Sequence, residues 1–286
     1  MKIKDLLKQE KVTFSCEIFP PKKDGDFHEV FRVVNRISEL GVDFISVTYG
    51  AGGSTSKRTV EVASYIQNIC HTTALAHLTC IDSDPEQIQE QLLELHTNGV
   101  NNIMALRGDR PKDFTGTSHY LHAIDLVREI QASKDFCIGA ACYPEGHMEC
   151  VHKQDDLTYL KAKVDAGVDF LTTQMFFDNN LLYNFLYRSY AAGITVPIIP
   201  GIMPIINARQ VKRSIELSGS TMPARFLAIA DKFADNPQAM EQAGIAYATD
   251  QIVDLVANGV KHIHLYTMNR PQTAEKILGN LSCILR

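Results

Sequence analysis

Eight short runs of apolar or β-branched residues recur along the chain, and a segment with helical periodicity follows each of them. The first six intervals between these runs are each roughly thirty residues long, which is the length of a strand with its crossover helix. Strands joined by helices in this way pair in parallel and are buried on both faces of the sheet. The runs begin near Thr13, Phe44, Thr73, Asn102, Phe136, Phe170, Val196 and His262.

Residues typical of helix starts and helix ends support this division of the chain into strand-and-helix units. Asp84-Pro85-Glu86 is typical of a helix start, and Gly99 is typical of a helix end. The segment from Asp155 to Ala166, followed by Gly167, repeats the pattern. The sequence therefore predicts strands that alternate regularly with helices.

The connection between the seventh and eighth runs is longer than the others. It holds two helical patterns, Pro223 to Asp235 and Gln238 to Ala257, and we interpret the first as an insertion. No linker or composition shift divides the chain. Eight parallel strands can close into a barrel or form an open doubly wound sheet, and the even spacing favours closure. We predict an α/β fold, a single-domain (β/α)8 TIM barrel over residues 1–286, with an extra helix in the seventh βα connection.

Composition excludes several classes of protein. Hydrophobic residues make up 45% of the 286 residues and charged residues 21%, which is typical of globular chains and not of disordered ones. A net charge of −5 does not favour nucleic acid as a partner. The charged first ten residues do not resemble a secretory signal, and three prolines interrupt the most apolar window, residues 191–206, so no membrane segment is expected. Seven cysteines without a C-x-x-C pair indicate reduced thiols and a cytoplasmic protein.

Polar side chains stand where seven of the eight predicted strands end. In barrels of this type the carboxyl ends of the strands converge on one mouth, where the reacting groups lie. The sequence therefore predicts that the mouth is a functional site. The residues at these ends are Glu17, Thr48, His77, Arg107-Gly108-Asp109, Tyr143, Gln174 and Arg270.

Glu17 is the leading catalytic candidate. It follows Phe14-Ser-Cys, and apolar surroundings make an ionised carboxylate costly unless it is paired. Desolvation is expected to raise the pKa of Glu17, which suits a general acid near neutral pH. The alternative is a structural ion pair between Glu17 and Arg107 inside the barrel.

The other motifs also have two interpretations. Arg107-Gly108-Asp109 can be a solvated turn, and the glycine-rich segment 50–56 can approach a phosphate or be a flexible connection. Residues 143–152 gather histidine and cysteine, but their irregular spacing does not favour zinc. His77 alone is compatible with ordinary barrel packing, and so are His262 and His264, which alternate on the last strand.

Nine motifs in order along the whole chain identify a family. They are Phe14-Ser-Cys-Glu-Ile-Phe-Pro-Pro, Phe44-Ile-Ser-Val-Thr-Tyr-Gly-Ala, Ala76-His-Leu-Thr-Cys-Ile-Asp, Ala105-Leu-Arg-Gly-Asp, Tyr143-Pro-Glu-Gly-His, Lys163-Val-Asp-Ala-Gly, Thr173-Gln-Met-Phe-Phe-Asp, Ile199-Pro-Gly-Ile-Met-Pro and Tyr266-Thr-Met-Asn-Arg. With them the chain resembles the bacterial methylenetetrahydrofolate reductases, flavoproteins of one-carbon metabolism.

The resemblance implies an oxidoreductase with FAD at the barrel mouth. A hydride would pass from NADH or NADPH through the flavin to 5,10-methylenetetrahydrofolate and give 5-methyltetrahydrofolate. Because both partners would use the same flavin face in turn, ping-pong kinetics are expected. Glu17 matches the family's acid, which protonates folate N10 and opens the ring to an iminium. Asp109 matches a carboxylate that would stabilise this cation and lower the flavin potential.

The resemblance also implies binding residues. Gln174, Gln210 and Arg270 would contact the folate, and Gln174 also the nicotinamide. The FAD site would be formed by Thr48, Tyr49, Ala51, His77, Arg107, Gly108, Asp109, Leu121, His122, Ala123, Tyr143, His147, Asp156 and Lys163.

Two positions depart from the family pattern. Ser214 stands four residues after Gln210, where an aromatic side chain that stacks on the bound substrate is expected. Tyr159 stands where a smaller polar residue is usual, so a cofactor contact is not expected there. Because Ser214 replaces the expected aromatic residue, the sequence does not decide which electron donor is used.

Other functions stay open at this point. They are a pterin-binding methyl-transfer barrel without flavin and a reductase subunit that a redox partner protein supplies with electrons. A homo-oligomer is compatible with the resemblance.

Overall fold

A parallel sheet forms the centre of the molecule. The structure is a computed structural model that describes residues 1–21, 26–49, 55–110, 118–133 and 135–285. Within these ranges the strands are β1 (Thr13–Ile18), β2 (Phe44–Val47), β3 (Thr73–Thr79), β4 (Asn102–Leu106), β5 (Cys137–Cys142), β6 (Phe170–Thr173), β7 (Ile198–Ile199), β8 (Gly201–Ile202) and β9 (His262–Tyr266).

The sheet closes into a barrel through one short segment. Strands β1 to β6 pair in sequence order, β1 also pairs with β9, and every pairing is parallel. β7 pairs with β6, whereas β8 pairs with β9, so residues 198–202 join the two edges. The predicted barrel is confirmed, but its seventh strand is divided at Pro200. Proline lacks the N–H group that a continuous strand would use here.

Helices follow the strands and surround the barrel. Those within the described ranges are α1 (Ile3–Leu6), α2 (Phe27–Glu39), α3 (Thr55–Asn68), α4 (Pro85–Thr97), α5 (Ala123–Ser133), α6 (Lys153–Asp165), α7 (Asn179–Ala191), α8 (Ala208–Ser218), α9 (Ala224–Lys232), α10 (Pro237–Ala257) and α11 (Pro271–Asn280). The predicted start of α4 is confirmed as a capping box, in which Gln87 N–H donates to Asp84 Oδ1 at 2.8 Å and Asp84 N–H donates to Gln87 Oε1 at 3.1 Å. None of these helices has the length and apolar character that crossing a bilayer requires.

Three helices, not the predicted two, lie between β8 and β9. α10 packs against α7 and α11 and completes the outer layer, whereas α8 and α9 pack on each other. The predicted extra helix is present as α9, and α8 is a second additional helix. Its sequence, Ala208-Arg-Gln-Val-Lys-Arg-Ser-Ile-Glu-Leu-Ser, is mostly polar, but Ala208, Val211 and Ile215 keep helical spacing, so the pattern was present and was overlooked.

The amino-terminal end of the barrel is sealed by α1. Ile3 and Leu6 pack with Phe44 and Phe170 in a cluster separate from the main core. Asn102 holds this helix, because its side-chain Oδ1 accepts a hydrogen bond from Ile3 N–H at 2.8 Å. The opposite end, where the strands finish, is left for a site.

Candidate active site

Glu17 lies near the end of β1, enclosed by side chains from three neighbouring strands. Its Oε2 atom is 3.5 Å from His77 Nε2 and 3.6 Å from His264 Nε2. Ser46 Oγ donates to the same oxygen at 3.4 Å. The Glu17 side chain is 14% exposed. The carboxyl therefore faces the barrel interior and is paired with histidines, not with Arg107.

Ser15 fixes the orientation of the His264 ring. Ser15 Oγ donates to the carbonyl oxygen of Ile263 at 3.1 Å and lies 2.7 Å from His264 Nδ1. These two contacts hold the ring so that His264 Nε2 faces Glu17 Oε2 at 3.6 Å.

The pKa of Glu17 differs from the expectation based on burial. Burial raises this pKa, but the hydrogen bond with His264, the charges of His77 and His264 and the hydrogen bond from Ser46 lower it, and the net pKa lies below the ordinary value. The expected raised pKa was therefore wrong for the free protein. Burial also lowers the pKa of His77.

A second group of charged side chains lies beside the end of β4. Arg107 makes a bidentate ion pair with Glu149, with Nη1 to Oε2 and Nη2 to Oε1 both at 2.7 Å. The hydrogen bond from Arg107 lowers the pKa of Glu149 to about 2. Arg107 is therefore not part of a freely solvated turn, although the neighbouring Asp109 is exposed.

Gly108 turns the chain at this point. Its φ is +89°, a conformation that favours glycine, and an added Cβ would lie 3.1 Å from Thr79 Cβ. The absence of a side chain lets the loop after β4 pack closely on the end of β3.

Residues from β5 and α6 extend the same side of the mouth. The Tyr143 and His147 rings meet edge to face with centroids 4.6 Å apart. Lys163 Nζ donates to the carbonyl oxygen of Ala141 at 2.7 Å. Asp156 lies close enough to the charges of Lys163 and His147 for them to lower its pKa, although burial raises it overall. Arg107 and Asp109 likewise influence the pKa of Tyr143, which burial raises to about 12.

The remaining cofactor candidates are on two loops. Thr48 N–H donates to Ile18 O at 3.0 Å, and Tyr49 Oη donates to Gln91 Oε1 on α4 at 3.2 Å. Leu121 and His122 precede Ala123, the first residue of α5, and both of their N–H groups donate to Asp125 Oδ2. Ala51 and the glycine-rich loop around it lie outside the described residues.

The folate candidates are on the other side of the mouth. Gln174 follows β6, and its Oε1 accepts from Met175 N–H at 2.9 Å. Gln210 is in the first turn of α8, and its Oε1 accepts from Ile206 N–H at 3.1 Å. Arg270 is exposed at the start of α11. These residues stand on separate elements and are not linked to one another by a hydrogen bond among the described residues.

The geometry combines a carboxyl group that can exchange a proton with a cationic and aromatic wall beside it. A family model described as "Methylenetetrahydrofolate reductase" matches residues 2–282. The chain belongs to the methylenetetrahydrofolate reductase family. The resemblance in the nine motifs is thereby confirmed.

Named relatives agree with this assignment. The chain is 36% identical to the 5,10-methylenetetrahydrofolate reductase of Escherichia coli, with 96% of this chain and 92% of that protein covered. It is 37% identical to "Methylenetetrahydrofolate reductase (NADH) 1" of Arabidopsis thaliana, over 99% of this chain and 50% of that protein. The chain therefore spans about half the length of this plant relative.

Solved structures share the fold. A protein from Clostridium thermocellum, described as binding two copies of 5-methyl-5,6,7,8-tetrahydrofolic acid, aligns over 99% of both chains with a TM-score of 0.65 at 14% identity. A dihydropteroate synthase from Coxiella burnetii in complex with pteroic acid aligns over 96% of this chain and 93% of its own with a TM-score of 0.55 at 15% identity. At these identities the likeness concerns the barrel alone.

This reductase-family chain also places residues at the mouth that the sequence analysis did not select. Ser15, Ser46 and His264 contact one another or Glu17, and Glu149 binds Arg107. The interpretation of His264 as ordinary core packing was incomplete, since it also contacts the carboxyl. The strand register pairs Ser15 with His264, and this alignment of β1 with β9 is the signal that could have found them.

The two departures from the reductase pattern have different surroundings. Ser214 is buried within α8, where its carbonyl oxygen accepts from Ser218 Oγ at 2.6 Å. Tyr159 is 68% exposed on α6. In the part of the chain that the structure describes, no three histidine, cysteine or acidic side chains converge as a metal site.

Proposed function

We propose that this chain reduces 5,10-methylenetetrahydrofolate to 5-methyltetrahydrofolate with NADH or NADPH and FAD. The observation that most supports this proposal is the enclosure of the Glu17 carboxyl by His77, His264 and Ser46 at the mouth of the barrel. The names of relatives that match nearly the whole chain support the substrate, and the name of the plant relative supports NADH.

The chemistry of the cofactor wall fits FAD. Arg107 and Lys163 are cations that suit the diphosphate, and the Tyr143 and His147 rings offer aromatic edges. Gly108 allows the loop that carries Arg107 to pack closely on the end of β3. The flavin supplies hydride transfer when bound. Its other proposed contacts are Thr48, Tyr49, Ala51, His77, Asp109, Leu121, His122, Ala123 and Asp156.

Glu17 has the role of acid in this proposal. In the free protein, contacts with His264, His77 and Ser46 keep its pKa below the ordinary value despite burial, so the carboxyl is ionised. A folate that covers the mouth would remove water from the carboxyl, and desolvation favours its neutral form. Glu17 Oε2, once protonated, can deliver its proton to folate N10.

Asp109 and the polar residues across the mouth complete the site. The exposed carboxylate of Asp109 stands next to Gly108, where negative charge would stabilise a folate cation. Gln174, Gln210 and Arg270 would orient the folate, and Gln174 also the nicotinamide. Since the two partners would share one face of the flavin, the reaction is expected to be ping-pong.

Visible spectroscopy under anaerobic conditions tests this function. The purified protein with bound FAD should lose its absorbance near 450 nm on addition of NADH or NADPH. It should regain this absorbance on addition of 5,10-methylenetetrahydrofolate, with 5-methyltetrahydrofolate formed. A protein that binds no flavin would contradict the proposal and favour a methyl-transfer barrel. A flavin that neither nucleotide reduces would instead point to a protein electron donor.

A further inference from the structure

The loop between β5 and α6, residues 143–152, makes contacts with two other parts of the mouth, and we call it the strap. Its Glu149 forms the bidentate pair with Arg107, whose Nε also donates to Gly108 O at 3.1 Å. The Arg107 side chain is 17% exposed, whereas that of Glu149 is 47% exposed. The guanidinium is therefore held in one plane from the solvent side of the mouth.

Glu145 and Met148 of the strap contact the connection between α8 and α9. Thr221 N–H donates to both carboxylate oxygens of Glu145, at 3.1 and 3.0 Å. Met148 packs on Gly219 so closely that an added Cβ would lie 2.7 Å from Met148 Cγ. Ser220 Oγ donates to Met175 O at 2.6 Å and attaches this connection to the end of β6. The strap thus links the Arg107 side of the mouth with the helix that carries Gln210.

We propose that Glu149 is a positioning residue for the flavin site. It acts through Arg107, whose long side chain would otherwise populate many rotamers and lose that freedom when an anionic ligand binds. A bidentate carboxylate removes this cost in advance, because it holds the guanidinium in one orientation. The inference rests on the proposed function, because the ligand that Arg107 is positioned for is FAD.

If Glu149 instead blocks the ligand site, the expected change in FAD affinity has the opposite sign. If the Glu149 carboxylate occupied the place of an anionic ligand group, its removal would free Arg107 and tighten FAD binding. Positioning predicts weaker binding, so the sign of the change decides between the two.

Titration of the apoprotein with FAD, followed by flavin fluorescence, measures this sign. The Glu149→Gln variant should bind FAD about tenfold more weakly than the wild type, a change typical of coupled charge pairs. Glu275→Gln is the matched control, because Glu275 Oε1 binds Arg36 Nη2 at 2.6 Å on the helical exterior. This control should leave the FAD affinity unchanged.

A double-mutant cycle tests whether Glu149 acts through Arg107. Arg107→Ala should weaken FAD binding, and adding Glu149→Gln to Arg107→Ala should produce no further loss. A purely structural role of the strap would weaken binding equally in both backgrounds and would overturn the inference. Unchanged or tighter binding by Glu149→Gln alone would also overturn it, while flavin binding by the wild type would leave the proposed function intact. A wild type that binds no FAD would overturn both.

Discussion

Lys163 places an ammonium group beside the carbonyl of Ala141 at the end of β5. Burial lowers the pKa of Lys163 below its usual value near 10.5. The unfolded chain therefore binds more protons than the folded one at pH values between the two pKa values. Stability then rises with pH in this window, because raising the pH removes the cost of burying the charge.

Substitution of Lys163 by methionine tests this linkage. The wild type should gain stability relative to Lys163→Met as the pH rises toward 10.5, with a slope of at most about 1.4 kcal/mol per pH unit. Urea unfolding at several pH values measures the difference. Lys161→Met is the control, since Lys161 pairs with Asp165 on the surface of the same helix, and its difference from the wild type should not follow this slope. A constant difference for both variants would contradict a perturbed Lys163.

The position of Glu17 could be predicted from the sequence, but its electrostatics could not. A polar residue at the end of an apolar strand of a barrel points to the mouth. The pKa, however, depends on His77 from β3 and His264 from β9, and their distances to the carboxyl follow from the sheet register. Strand order alone does not give these distances.

At the scale of elements, α10 approaches the chain after β8 at one glycine. A Cβ at Gly244 would collide with the carbonyl oxygen of Ile205, which is backbone and cannot turn aside as a side chain can. Gly279 on α11 has nothing within 4 Å of its hypothetical Cβ. The two helical glycines therefore offer a matched comparison.

Alanine at these glycines should have opposite effects. Gly244→Ala should lower the free energy of unfolding by about 1–3 kcal/mol, because overpacking forces the helix away from the backbone. Gly279→Ala should be neutral or stabilising by about 0.4–1 kcal/mol, because alanine restricts the unfolded chain. Urea unfolding measures both. Equal effects of the two substitutions would mean that the close approach of α10 is not maintained in solution.

Most strands and helices could be predicted from the sequence, whereas α1 and α8 were not. Buried strands and the helices on them carry apolar runs that the sequence displays directly. α1 has only four residues, so its helical state depends on contacts with the rest of the fold, whereas the helical spacing in α8 was present and was overlooked. The division at Pro200 also depends on such contacts, because pairing with two different neighbours defines β7 and β8.

At the scale of the whole molecule, the two ends of the barrel have separate roles. α1 fills the amino-terminal end with apolar side chains, and Asn102 anchors it. The opposite end, where the strands finish, carries the Glu17 side chain, the cationic wall and the strap. This separation is typical of (β/α)8 barrels, in which one end serves stability and the other end chemistry. Loops of several strands therefore contribute to one reaction without interrupting the core.

The most direct test compares the two half-reactions of Glu17→Gln by anaerobic stopped-flow absorbance. Glutamine keeps the size of the side chain but cannot donate the carboxyl proton to the folate. Reduction of the flavin by NADH should stay within about twofold of the wild type, whereas reoxidation by 5,10-methylenetetrahydrofolate should slow by about 10²-fold or more. Equal slowing of both half-reactions, or normal reoxidation, would contradict the role of Glu17 as the acid.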